Sequence, residues 1–425
     1  MVQRSVGQKG ALDGMTRLGL FDAFGVELEY MIVDRDTLNV APIADVVLGT
    51  IGGEGATYVE RGPIEWSNEL VLHVLELKTN GPASRLGGLG SKFQLDVQFA
   101  NELLEKSNAC LMPTGMHPWM DPNLETRIWP HEYNEVYRTY DRIFGCRGHG
   151  WANLQSSHLN LPFDGDEEFR RLHDAIRAVL PVIPALAASS PYADGRYTGV
   201  MDYRLTVYRD NSRAVPSMTG GVIPEPVASE AEYRSVILDR IYKDLETLDA
   251  DGVLRHEWAN SRGAIARFER GTIEIRTVDS QECPNADLAV LALITETVKH
   301  LTEVAGAASH NDRSGHWLID GEVLKQILSD CTVDADEAVI HDKQFLSAFD
   351  LKGPIHGGEF WIAMAERLDD GCLSEWGSAL DVILNRGPLA RRLFSAAGPT
   401  PSRVKLAAVY QELSGCLQRG EMFDV

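Results

Sequence analysis

Positive charge is scarce in this chain of 425 residues. Lysine and arginine together number 40 against 62 aspartates and glutamates, for a net charge of -22. That balance argues against a nucleic-acid backbone or an anionic membrane surface as partner, since both require basic patches. An anionic small molecule would have to be met by locally placed arginines or by metal ions. Cysteine is sparse too. Cys110, Cys146, Cys283, Cys331, Cys372 and Cys416 are scattered and form no C-x-x-C pair, which fits reduced, mostly buried thiols rather than a disulfide framework or a zinc knuckle. H-E-x-x-H is missing as well, so a zinc hydrolase has no support. Long apolar runs are also lacking: residues 178–188 are the most apolar, and they contain Pro181 and Pro184. The polar N-terminus has no signal-peptide core. The expectation is a cytoplasmic protein, with a homo-oligomer left open.

The chain exceeds the size of one ordinary core. Residues 1–20 read as a loosely attached arm, 21–310 as mixed strands and helices, and 311–425 as a helical region packed on them. From His316 onward that helical pattern breaks at Gly353-Pro354, Gly387-Pro388 and Gly398-Pro399. The chain is organised around Gly25-Val26-Glu27-Leu28-Glu29-Tyr30, which reads as a strand. Side chains alternate along a strand, so Glu27 and Glu29 share one face while Val26, Leu28 and Tyr30 share the other. Two such carboxylates repel each other and are costly to bury without a cation.

Similar features recur downstream. Residues 65–79 form a second acidic, β-rich segment in which Glu69 and Glu76 have opposite parity, so a bulge or bend must separate them if both serve one site. Residues 91–107 read as an amphipathic helix, entered through Gly87-Gly88-Leu89-Gly90, which lacks P-loop spacing. Residues 111–117 and 153–163 read as strands, the latter with Ser156, His158 and Asn160 on one face. A helix over 166–188 is kinked or ended by its prolines. Residues 191–226 read as a long loop carrying Arg196, Arg204, Arg209 and Arg213, a plausible carboxylate or phosphate site. A helix follows at 230–249, then a β-hairpin over 262–278 with Glu274 and Arg276 on one face. The helix at 284–304 has Asn285 or Asp287 as its expected cap. Oxygen ligands with one imidazole suit Mg²⁺ or Mn²⁺ holding nucleotide phosphates.

Taken together, Gly25-Val26-Glu27-Leu28-Glu29, Asn68-Glu69 through Glu76-Leu77-Lys78-Thr79, Gln155-Ser156-Ser157-His158 and Gly271-Thr272-Ile273-Glu274-Ile275-Arg276 with Asp279 carry a resemblance. The chain resembles the carboxylate–amine ligases of the glutamate–cysteine ligase superfamily, nearest its bacterial second type. The resemblance implies an α+β fold: a curved, mainly antiparallel, glutamine-synthetase-like sheet with helices on one side and a helical C-terminal layer. It implies an ATP-dependent ligase that uses Mg²⁺ (or Mn²⁺) and joins a small glutamate-like carboxylate to cysteine or another amine through an acyl phosphate. Glu27, His158 and Glu274 would hold one metal and Glu29, Glu69 and Glu76 a second. Arg276, with Glu274, would act at the transferred phosphate, and Arg204, Arg209 and Arg267 would contact substrate or phosphate. The sequence departs from the family pattern at Leu28, at Ser156-Ser157-His158-Leu159-Asn160-Leu161, and before Glu274, where the family's R-P pair is missing. Alternatives are a metal-dependent phosphotransferase or hydrolase on the same sheet, and a non-catalytic binding protein with a degenerate site.

Overall fold

The computed structural model describes residues 17–307, 319–368 and 371–424. Most of the expected N-terminal arm, the 310/311 boundary and His316 lie outside them. Gly25–Asp34 forms β1, ten residues long and buried along almost its whole length. It is followed by β2 (Tyr58–Arg61), β3 (Ile64–Asn68), β4 (Val74–Thr79), β5 (Ala109–Met112) and β6 (Ser156–Pro162). A two-residue hairpin, β7 (Tyr192–Ala193) and β8 (Arg196–Tyr197), precedes β9 (Ala264–Arg267) and β10 (Thr272–Asp279).

Eight of these strands make one sheet in the order β2-β3-β4-β1-β6-β10-β9, with β5 also paired to β1. Each pairing in it is antiparallel. β1 is central because both its edges are used. It pairs with β4 from Glu27 to Met31 on one side, and with β6 and then β5 on the other. Gly25 sits opposite Asn160, where a Cβ would come within 3.0 Å of the Asn160 Cβ, so this close approach favours glycine.

The two faces differ, as the alternation requires. Val26, Leu28, Tyr30, Trp66, Leu75, Leu77, Leu159, Leu161, Ile273 and Ile275 join one apolar core with the covering helices. Those helices include Leu89–Leu104, Gly165–Val179 and Pro284–Ala307. Phe93, Val97, Ala100 and Leu104 are the buried stripe expected of the first. Burying side chains of this size contributes roughly 1.5–3 kcal/mol each.

Pro284–Ala307 is pinned to the sheet by Asp287, which was expected as a cap. Its carboxylate instead accepts hydrogen bonds from Tyr30 Oη (2.7 Å), Ser157 Oγ (2.5 Å) and the Gln281 N–H (2.8 Å). On the opposite face, the odd-numbered residues of β1 turn from Glu27 and Glu29 to Met31 and Val33. There the C-terminal helices Leu389–Ala397 and Arg403–Arg419 close over them, with Leu393, Leu406 and Tyr410 in the shared cluster. Those helices meet the expected breakers: Leu389–Ala397 starts just after Gly387-Pro388 and ends at Gly398. Arg392, buried, pairs with buried Glu282 just past β10.

Three expectations change. Residues 65–79 are two antiparallel strands, β3 and β4, joined by a turn rather than one bent strand. The strand expected over 111–117 covers only Ala109–Met112, because Pro113 and Thr114 (φ 85°) divert the chain. The loop over 191–226 contains both the β7–β8 hairpin and a helix, Tyr203–Asp210, N-capped by Asp202. The six cysteines form no disulfide; five are buried and Cys372 is exposed. Among the described residues no helix is long and apolar enough to cross a membrane.

Burial raises the Asp287 carboxyl to about 7, against the lowering effect of its three donors. A raised folded-state value means stability present below the unfolded value and lost as pH rises through the folded one. Urea denaturation of wild type and Asp287→Asn should therefore show a stability difference that shrinks as pH rises from about 4 to 7. A difference that grows over that window would contradict the assignment.

Candidate active site

The register of the sheet assembles the polar face. Opposed residues of an antiparallel pair share a face. Glu29 therefore stands beside Glu76, which stands beside Ser67. In the next row Glu65, Lys78, Glu27 and His158 lie side by side across β3, β4, β1 and β6. Asn160 and Glu274 follow on β6 and β10. The turn between β3 and β4 delivers Glu69 to the same place.

Two groups of potential ligands result: Glu27, Glu76 and His158, and Glu29, Glu69 and Glu76, with the ligand atoms in each within 4.8 Å of one another. Glu29, Glu69 and Glu76 thus come together as the resemblance implied. In the other group Glu76 stands where Glu274 was expected. Glu274 lies at its edge, with Oε1 4.0 Å from His158 Nδ1, and is engaged by Arg267 (3.2 Å) and Arg276.

Hydrogen bonds fix the remaining geometry. The Ser156 N–H and Oγ donate to Glu29 Oε2 at 2.7 and 3.0 Å, and Ser156 Oγ lies 2.9 Å from His158 Nε2. His158 Nδ1 lies 3.1 Å from Glu27 Oε2, and Asn160 Nδ2 donates to Glu27 Oε1 at 3.2 Å. Glu76 accepts from Lys78 (2.6 Å) and Ser67 through Oε2, while its buried Oε1 has no hydrogen-bond partner.

The electrostatics follow from burial among like charges. Burial, reinforced by Glu69 and Glu76, raises Glu29 to about 7 despite the nearby imidazole. Glu69 is also raised, again chiefly by burial. For Glu76 and Glu274 burial works the same way but is outweighed, by Lys78 for the first and by Arg276 and Arg267 for the second, so both fall below the usual carboxylate range. Burial disfavours a charged His158, yet the Glu27 hydrogen bond and the charges of Glu29, Glu27 and Glu274 lift it to about 9. Metal ligation requires the neutral ring, so an ion bound here would displace that proton. Four carboxylates, one of them with an unsatisfied buried oxygen, and one imidazole form a donor set that fits a hard divalent cation.

The three arginines expected to contact substrate or phosphate, Arg204, Arg209 and Arg267, separate. Arg204 is buried and pairs with buried Asp279, which also accepts from the Ser189 N–H and Ser190 Oγ at 2.8 Å. Arg209 is exposed, 3.7 Å from Asp210. Arg267, at 3% exposure, is the member of that group placed against the carboxylates. Reading the residues in sequence gave no role to Lys78 or Ser67. Lys78 lies two residues after Glu76, which puts it on the same face, but Ser67 reaches Glu76 only through the β3–β4 register.

A model of glutamate–cysteine ligase family 2 matches residues 23–317. The chain belongs to that family. A relative from Archaeoglobus fulgidus, described as an uncharacterized protein, is 34% identical over 94% of this chain and 99% of its own. A protein of Nocardioides sp. named "Putative glutamate–cysteine ligase 2-1" is 27% identical over 69% of this chain and 71% of its own. Among solved structures, glutamate–cysteine ligase from Francisella tularensis, crystallised in complex with AMP, superposes with a TM-score of 0.61 at 13% identity. That match covers 95% of this chain and 90% of the other, and establishes a common α+β fold.

Removing one partner of a buried ion pair strands the other charge, which typically costs about 3–5 kcal/mol. Arg204→Met should therefore lose about that much stability in urea unfolding, measured without ligands. A loss below about 1 kcal/mol would free Arg204 for a ligand-binding role.

Proposed function

We propose that the chain is an ATP-dependent carboxylate–amine ligase whose chemistry is carried on the polar face of the sheet, within residues 21–310. The observation that carries this reading is the pair of ligand clusters sharing Glu76, flanked by Arg267 and Arg276. Family membership and the AMP complex of the Francisella enzyme support the nucleotide. Glu27, Glu29, Glu69, Glu76 and His158, with Glu274 at the edge, would hold Mg²⁺ (or Mn²⁺). Such ions would neutralise nucleotide phosphates beside the carboxylates.

The protein's own contribution is positioning and charge. Arg276 is held rigidly against Glu274 and offers its guanidinium to negative charge developing on the transferred phosphoryl group. Arg267, one strand over, adds a second fixed cation for the carboxylate substrate or the acyl phosphate. In the reaction the γ-phosphoryl group leaves ADP and bonds to a substrate carboxylate oxygen. The amine then attacks the acyl carbon, phosphate departs with the C–O electron pair, and the amine gives up a proton. The substrates are a small glutamate-like carboxylate and an amine, with cysteine the default acceptor.

The test is ADP release by the purified protein with ATP and Mg²⁺, against a panel of amino and dicarboxylic acids with and without cysteine and other amines. ADP formation should require one acid–amine pair, with the condensed product visible by mass spectrometry. ADP release without an amide would favour the phosphotransferase or hydrolase. Glu27→Gln should lower turnover at least about 1,000-fold, and Arg276→Met about 100- to 10,000-fold, with melting curves retained. A fully active Glu27→Gln enzyme would sink the ligand assignment.

A further inference from the structure

Lys78 has no role in the ligase chemistry above, although it stands among the carboxylates. It sits directly between Glu65 on β3 and Glu27 on β1, with His158 beyond Glu27. Its side chain is 17% exposed, and its ammonium donates to Glu76 Oε2 at 2.6 Å and Ser67 Oγ at 2.7 Å, with Glu65 Oε1 at 3.6 Å. Ser67 Oγ donates to the same Glu76 oxygen. One oxygen of Glu76 is thus taken up by two donors, while the buried Oε1, in the residue common to both ligand clusters, has none. Withdrawing an ammonium from water is costly unless it is paired. Its contacts to two carboxylates and a hydroxyl are those of a cation filling a cation's place.

We propose that Lys78 is a fixed cation of the active site. It turns Glu76 so that Oε1 is presented to the two ligand clusters, and it occupies the Glu65 side of the face so that no divalent ion binds there. The proposal rests on the reading of Glu76 as a metal ligand. Arg267 and Arg276 stand at the opposite flank around Glu274, so divalent ions are confined to the stretch between these fixed charges. Replacing Lys78 with a neutral side chain would leave Glu65, Glu76 and Glu27 facing one another with no ammonium between them, and a further divalent ion would restore the balance.

The experiment counts Mn²⁺ bound by the full-length protein without nucleotide, from the electron paramagnetic resonance signal of the free ion. Wild type should bind two ions, Lys78→Met three, and Lys78→Met combined with Glu65→Gln two again. A folded Lys78→Met protein that binds no more than wild type overturns the proposal while leaving the ligand clusters standing. Wild type that binds none removes the metal reading beneath it. Glu65→Gln alone gives an independent check should Lys78→Met not fold. It should keep two ions with affinities within about threefold of wild type, and loss of an ion would show that Glu65, not Lys78, serves the metal positions.

Discussion

Like charges held on one face of a pleated sheet repel, and the centre of this molecule is arranged around that repulsion. Glu27, Glu29 and Glu76 are brought together by β1 and β4, whose register leaves them no route apart. Water cannot relieve them because they are buried. What relieves them is fixed charge at the flanks, Lys78 on β4 and Arg267 and Arg276 on β9 and β10. Glu76 and Glu274, which bond to those cations, fall below the ordinary range, while Glu29, nearer the middle, is pushed up. This gradient marks where a further positive charge is most favoured.

The face below is built to hold that arrangement still. Ser157, next to His158, and Tyr30, next to Glu29, both donate on the apolar face to Asp287 of the covering helix. Backbone shifts in β1 or β6 are therefore resisted from the apolar side, where the side chains are close-packed. A site whose ligands must meet within a few ångströms needs this kind of support from elements that do not touch the ligand.

Much of this was legible from alternation alone. β1 and β6 are runs in which the period of two is clean, and β10 keeps it up to a register shift after Ile275, so Glu27 with Glu29, Ser156 with His158 and Asn160, and Glu274 with Arg276 could be placed on their faces. The errors have physical causes. Glu69-Leu70-Val71-Leu72-His73 contains neither glycine nor proline, so nothing local marks the turn between β3 and β4. It is held by distant backbone, the Leu72 N–H donating to Arg127 O and the Trp129 N–H to Leu70 O. The helix Tyr203–Asp210 buries only Arg204 and Leu205 and so shows little periodicity, although Asp202 was a readable cap. Lys78 was visible as a residue but not as a partner of Ser67, because that pairing exists only once the register is known.

The Arg392–Glu282 pair adds a constraint on time rather than on shape. Glu282 is fully buried just past β10, and its countercharge lies 110 residues further along the chain. During synthesis on the ribosome the strand bearing Glu274 and Arg276 emerges well before Arg392 exists. Until then Glu282 must stay hydrated, so the segment leaving the active-site sheet cannot settle into its final burial. The polar face would thus be completed late, after most of the chain that covers it has been made.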